Sequence, residues 1–171
     1  MRLKPPKFIR WLMPDLIWEM KDRSAVYLTF DDGPTPGITE WILSTLDKYD
    51  AKATFFVLGK NAEMYPDLYR RILDAGHRIG NHTYSHQKGW GMSLERYIED
   101  VDFANDLLHT ELFRPPYARI TPAQARALGK RYKLVMWDVL SRDYNRALSP
   151  RTCLRNVTRY LEGGSIVAFH D

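Results

Sequence analysis

Short apolar runs and amphipathic stretches alternate along most of the chain. The runs are Ala25–Phe30, Ala53–Leu58, His77–Asn81, Leu112–Arg114, Lys133–Trp137 and Ser165–Phe169. Apolar runs of this length, rich in β-branched and aromatic residues and bounded by turn signals, read as strands buried on both faces. Between them, apolar residues recur at three- and four-residue spacing. Ile38, Trp41, Ile42 and Leu46 predict a helix near 38–49, and Tyr65 to Ala75 predicts another that stops at Gly76. Ser93 caps a long helix reaching Leu108, with Tyr97, Ile98, Val101 and Leu107 on its apolar face. Thr121-Pro122 starts a further helix. Ser149-Pro150 starts the last, which runs to about Leu161 and ends at Gly163-Gly164. Strands that alternate with helices predict an α/β fold with a parallel sheet covered by helices. An open doubly wound sheet and a closed barrel both fit six such strands.

The polar motifs follow the strands directly. A parallel fold therefore gathers them at one edge of the sheet, where such folds build active sites. Asp31-Asp32-Gly33-Pro34 ends the first strand. Two adjacent carboxylates raise each other's pKa unless a cation intervenes. One serving a metal and one serving proton transfer explains the pair, and so does a solvated strand end. His82 and His86 stand four residues apart. On one helical turn that spacing puts both rings on the same face, within reach of one cation. Two imidazoles and a carboxylate suit Zn²⁺ or a neighbouring first-row metal, and two surface histidines in a polar loop are the plainer alternative. Thr83 stands where the zinc-protease signature needs Glu, which disfavours that class. Pro115 and Pro116 stiffen the loop after Arg114, whose guanidinium is suited to orienting a carboxylate. His170 follows the last strand, with the pKa range of a general acid or of a terminal surface histidine.

Composition narrows the classes. The chain has 171 residues, a net charge of +4 and scattered Lys and Arg, so no nucleic-acid footprint is present. Aromatic content of 13% is rich and suits a sugar-binding groove, because the C–H face of a pyranose packs on a ring. The single Cys153 excludes an internal disulfide. Near the start, Phe8, Ile9, Leu12, Leu16 and Ile17 predict an amphipathic helix that closes one end of the fold, or alternatively a surface membrane anchor. No apolar run there is long enough for an export signal or a membrane span. These features divide the chain into an N-terminal helical extension, 1–23, and a main domain, 24–171. They favour a cytoplasmic location and leave the oligomeric state open.

In their order, these motifs resemble the polysaccharide deacetylase family, carbohydrate esterase family 4 with its NodB-type domain. The resemblance runs from Ala25 to Asp171. It implies a distorted (β/α) barrel, and a metal-dependent hydrolase that removes N-acetyl groups from an N-acetylglucosamine-type glycan such as peptidoglycan or chitin. By resemblance, Asp31 is the catalytic base. Asp32, His82 and His86 hold the metal, most simply Zn²⁺, with Co²⁺, Mn²⁺ and Ni²⁺ as alternatives. Arg114 pairs with Asp31, the Tyr117 backbone N–H helps hold the oxyanion, and Asp143 tunes His170 as the acid. O-acetyl hydrolysis on a xylan-type polymer and a catalytically weak carbohydrate-binding relative are the other readings. Tyr144 replaces the usual Trp, Ala118 the usual Gly, and Ala168 a Leu expected to line the acetyl pocket. The family pattern continues beyond the position of Asp171, which implies an incomplete or pared-down barrel.

Overall fold

The computed structural model describes residues 4, 10 and 13–171. Strands β1 (Tyr27–Asp31), β2 (Thr54–Val57), β3 (Arg78–Asn81), β4 (Leu112–Phe113), β5 (Lys133–Leu134), β6 (Val139–Leu140) and β7 (Ile166–His170) form one parallel sheet in the order β5-β4-β3-β2-β1-β7-β6. Helices α1 (Ile38–Lys48), α2 (Gly59–Met64), α3 (Pro66–Asp74), α4 (Leu94–Leu108), α5 (Pro122–Leu128) and α6 (Pro150–Thr158) connect the strands. Among the described residues, no helix is long and apolar enough to cross a membrane.

The outermost strands, β5 and β6, are separated in sequence only by residues 135–138. A flat sheet of seven strands would hold its edges about 29 Å apart. The connection can span at most about 18 Å. The sheet therefore curls until its edges approach, and of the two architectures that fit the sequence pattern the chain adopts the distorted barrel.

Strand periodicity then sorts side chains between the two faces. Leu28, Phe30, Phe55 and Val57 point outward and pack with Ile42, Leu46, Leu68 and Ile72 of the helical layer. Thr29, Asp31, Ala168 and His170 alternate with them on the inner face. The register pairs Thr29 with Ala168 and Asp31 with His170, so the latter two stand side by side at the carboxyl end of the barrel. A second core of Phe113, Leu134, Met136, Trp137, Leu140 and Ile166 fills the region around the closing strands.

Three local expectations change. The strand expected over 133–137 stops at Leu134 because the next two carbonyls are taken by a side chain: Arg114 Nε donates to Val135 O (3.1 Å) and its Nη2 to Met136 O (2.7 Å). The chain then pairs with β7 as β6, a strand too short to leave a periodic signal. Helix α2 precedes the helix expected at Tyr65, and Pro66 breaks the two apart. At the N-terminal end, residues 13–23 carry no helix. Ile17 instead bridges Val135 in parallel and Glu19 bridges Ser165, with Leu16 and Trp18 buried. Phe8, Ile9 and Leu12 of the expected stripe lie outside the described residues.

Candidate active site

Asp31 is the last residue of β1, and its carboxylate is fixed by a buried cation. Arg114 Nη1 donates to Asp31 Oδ1 at 2.6 Å and to Thr29 Oγ1 at 2.7 Å. With the two backbone carbonyls above, the guanidinium is satisfied on every nitrogen. Its carbon also sits 4.0 Å from the centre of the Phe56 ring. Arg114 has no solvent exposure, and burial pulls its pKa down while Asp31 works against that. Thr29 in turn donates to Val167 O (2.8 Å), so a neutral hydroxyl positions the charge pair.

Asp32 leaves the strand in the left-handed region, φ 80°, which turns its side chain away from Asp31. Asn61 of α2 holds that turn by donating to Asp32 O at 2.8 Å. His82 and His86 reach Asp32 from the loop after β3. The loop is not the helical turn that the four-residue spacing suggests: Thr83 and His86 have φ of 67° and 61°. Hydrogen bonds from outside the loop override helix formation. Asn81 Oδ1 accepts from Thr83 N (2.8 Å), and Asp100 of α4 accepts from the N–H groups of Tyr84 and Ser85 and from Ser85 Oγ.

The result is a compact donor set. The Nε2 atoms of His82 and His86 lie 3.4 and 3.0 Å from Asp32 Oδ1, and one ligand atom from each residue falls within 4.8 Å of the others. His82 Nδ1 donates to Arg114 O at 2.7 Å, which turns Nε2 toward the aspartate. Asp32 Oδ1 is buried and takes no hydrogen bond. A sheltered, unsatisfied carboxylate oxygen facing imidazole nitrogens fits a divalent cation. Burial acts to raise the Asp32 carboxyl, but His82 and His86 outweigh it and hold the group below the ordinary carboxylate range. Tyr117 Oη lies 3.2 Å from His86 Nδ1.

Beside Asp31, at the end of β7, His170 Nδ1 donates to Asp143 Oδ1 at 2.8 Å, and His170 N donates to Oδ2 at 2.9 Å. Burial pulls the His170 pKa down, but Asp143, followed by the charges of Asp31 and Asp32, raises it above the ordinary value. Burial likewise favours a neutral Asp143, and His170 overrides it and lowers that pKa. Tyr144 packs edge-on to His170, with ring centres 4.9 Å apart. Asp31, Asp32, His82, His86, Tyr117, Trp137, Leu140, Tyr144 and His170 line one cleft of about 330 Å³.

Arg114 and Asp143 do not line the cleft but bind residues that do. Tyr117 adopts φ 58° and Ala118 φ 55°, so the position where Gly is usual carries a strained Ala. Ala168 is fully buried in the core beside Leu140, and it is Leu140 and Trp137 that form the apolar wall. Sequence reading also passed over Thr29, Asn61, Asn81 and Asp100, ordinary polar residues whose role exists only in their contacts. Asp171 is another such residue. It is half-buried behind the Asp31-Asp32 turn, accepts from Thr39 Oγ1, and is pushed up to about 7 by desolvation and by the charges of Asp31 and Asp32.

The sequence and fold have clear counterparts. Residues 19–137 match the polysaccharide deacetylase family model. A peptidoglycan-N-acetylglucosamine deacetylase of Bacillus cereus is 36% identical over 157 residues, which is 88% of this chain and 57% of the relative. Chitin deacetylase 1 of Saccharomyces cerevisiae is 39% identical over 124 residues, 68% of this chain and 40% of the relative. This chain thus spans about half the length of these relatives. A crystal structure of a peptidoglycan N-acetylglucosamine deacetylase superposes with a TM-score of 0.90 at 31% identity, covering 98% of this chain and 81% of that one. With the matched model covering most of the chain, the sequence order of the motifs and the curled parallel sheet lead to one assignment: this chain belongs to the polysaccharide deacetylase family.

Proposed function

We propose that this chain is a metal-dependent hydrolase that removes N-acetyl groups from an N-acetylglucosamine-type glycan. One observation carries the reading: a carboxylate fixed by Arg114, an Asp-His-His donor set and an Asp-supported histidine share a single cleft. The names of the relatives, peptidoglycan and chitin deacetylases, agree with an N-acetyl substrate.

Asp32, His82 and His86 would hold the ion, which when bound supplies Lewis-acid polarisation of the acetyl carbonyl. Asp31, aimed by Arg114, takes the proton of the attacking water as general base. The Tyr117 N–H serves as a donor to the developing oxyanion. His170 lines the same cleft with its Nδ1 proton committed to Asp143, so its Nε2 is the atom that gives a proton to the departing amine. The C–N bond then breaks to release acetate. An amine is a poor leaving group, which explains an acid whose pKa is held up rather than down. Leu140 and Trp137 offer the apolar surface that an acetyl methyl needs.

The donor set of two nitrogens and one oxygen suits Zn²⁺, and Co²⁺, Mn²⁺ or Ni²⁺ can occupy similar sites. The test is acetate release from N-acetylated chitooligosaccharides and peptidoglycan, with chelator and after metal is restored. The expected result is release that disappears with chelator, returns best with Zn²⁺ and is absent in Asp31→Asn. Turnover in Asp31→Asn near that of the parent overturns the assigned base. Release from acetylated xylan with none from N-acetyl substrates overturns the substrate class.

A further inference from the structure

We propose that Trp90 is a second sugar subsite, which extends the cleft to take a glycan chain rather than a single sugar. The proposal rests on the deacetylase reading for the identity of the ligand.

Trp90 is 55% exposed, unusual for so large an apolar side chain, and its surroundings hold it rigidly. Its indole Nε1 donates to Ile120 O at 3.2 Å, and the Arg119 guanidinium lies over the ring, 5.5 Å from its centre. The neighbouring backbone is clamped by a buried glutamine. Gln124 Nε2 donates to Gly89 O (2.9 Å), while its Oε1 accepts from Thr121 N (2.9 Å), and Gly89 N donates to Arg119 O (2.7 Å). Gly89 permits this approach because a Cβ there would stand 2.4 Å from Gln124 Oε1 and 2.7 Å from Arg119 O. Gly91, at φ 85°, turns the chain immediately after the tryptophan. A close-contact glycine on one side and a left-handed glycine on the other thus present one aromatic ring to solvent. Nothing in the core calls for that arrangement.

The place of this ring is tied to the cleft twice over. His86 is four residues before Trp90, and Tyr117 is three residues before Ile120, the partner of the indole. The chain between His86 and Trp90 spans at most about 14 Å, a few linked sugar rings. The His86 and Tyr117 rings meet at 4.7 Å, tilted by 44°, on the cleft rim, and the loops that carry them continue to Trp90 and Ile120. A half-exposed, conformationally fixed indole offers a flat apolar surface to the C–H face of a pyranose, at little entropic cost on binding. The ligand this predicts is a β-linked oligosaccharide that is held at the cleft and runs past Tyr117 and Arg119.

Calorimetric binding of N-acetylated chitobiose and chitopentaose tests the proposal, in an Asp31→Asn host that does not consume them. The pentamer is expected to bind more tightly than the dimer. Trp90→Ala reduces that advantage by about fivefold to tenfold, and Trp90→Phe restores most of it. Trp90→Leu, which keeps bulk but no ring face, reduces it as well and serves if the alanine variant fails to fold. An unchanged length advantage in folded Trp90→Ala or Trp90→Leu overturns the subsite, as does equal weakening of dimer and pentamer. Acetate release by the parent chain judges the deacetylase reading separately. Release without a length advantage removes only the subsite, and a length advantage without release removes only the deacetylase reading.

Discussion

Two aspartate-centred pairs stand side by side at the end of neighbouring strands β1 and β7, and they differ in one respect above all. Arg114–Asp31 is sealed, with side-chain exposures of 0% and 5%, whereas His170–Asp143 is open to solvent at 19% and 27%. The first joins a carboxylate to a group that does not titrate in the working range and that is itself surrounded by carbonyls and a ring face. The second joins a carboxylate to the one side chain that titrates near neutrality, on a wall the solvent can reach. One sheet edge thus carries a carboxylate fixed in place by a non-titrating cation and a histidine whose proton affinity is set by an aspartate. Burial separates the two roles, since the same residue type, aspartate, serves in both.

Removing the cation from the sealed pair is the strongest way to break this contrast. Arg114→Met leaves Asp31 buried without compensation and is expected to cost about 3–5 kcal/mol of stability in urea unfolding. Arg114→Lys, which cannot reproduce the fork of contacts, is expected to recover little. A loss below about 1 kcal/mol in Arg114→Met would mean that the pair is not the anchor described here. The Asp-His-His set is the next largest lever. Added Zn²⁺ at a hundred times its dissociation constant should stabilise the native chain by about 2.7 kcal/mol. His82→Ala and His86→Ala should each lose that gain in a thermal melt, and an equal gain in the variants would place the ion elsewhere.

The open pair is probed by pH. The His170 pKa is raised in the folded chain, so its contribution to stability is present below the unfolded histidine value and is lost as pH rises through the folded one. Asp143 is lowered, so its contribution is present above the unfolded aspartate value and is lost as pH falls through the folded one. The pair therefore stabilises most between those limits. Asp143→Asn should lower stability within that window and move the alkaline limb of kcat/KM to lower pH, because the acid loses its proton sooner. An alkaline limb that stays in place separates His170 from the acid role. The smallest effect concerns the loop between the two pairs. Ala118→Gly relieves a left-handed alanine and should stabilise by about 1 kcal/mol in the same unfolding measurement. No gain there would show the strain to be absorbed elsewhere.

Read along the chain, the periodicity of apolar runs, the prolines at helix starts and the position of each polar motif after a strand were enough to place Asp31, Asp32, His82, His86, Arg114 and His170 at one edge of a parallel sheet. These signals are local, because they depend on side chains three or four residues apart or on alternate faces of a strand. Other features had no local signature. The four-residue spacing of His82 and His86 suggested a helical turn, yet Asn81 and Asp100 hold a loop with left-handed residues, and Asp100 lies on a helix that follows. Barrel closure follows from the strand order and from a short link between its edges, and the early end of β5 follows from a guanidinium arriving from another strand. Leu140 and Ala168 are register partners on adjoining strands, and only the folded sheet shows that Leu140, and not Ala168, lines the cleft. The amino acids carry the chemistry and the local geometry. Which carboxylate is sealed and which is open is set by how residues far apart in sequence exclude water from one another.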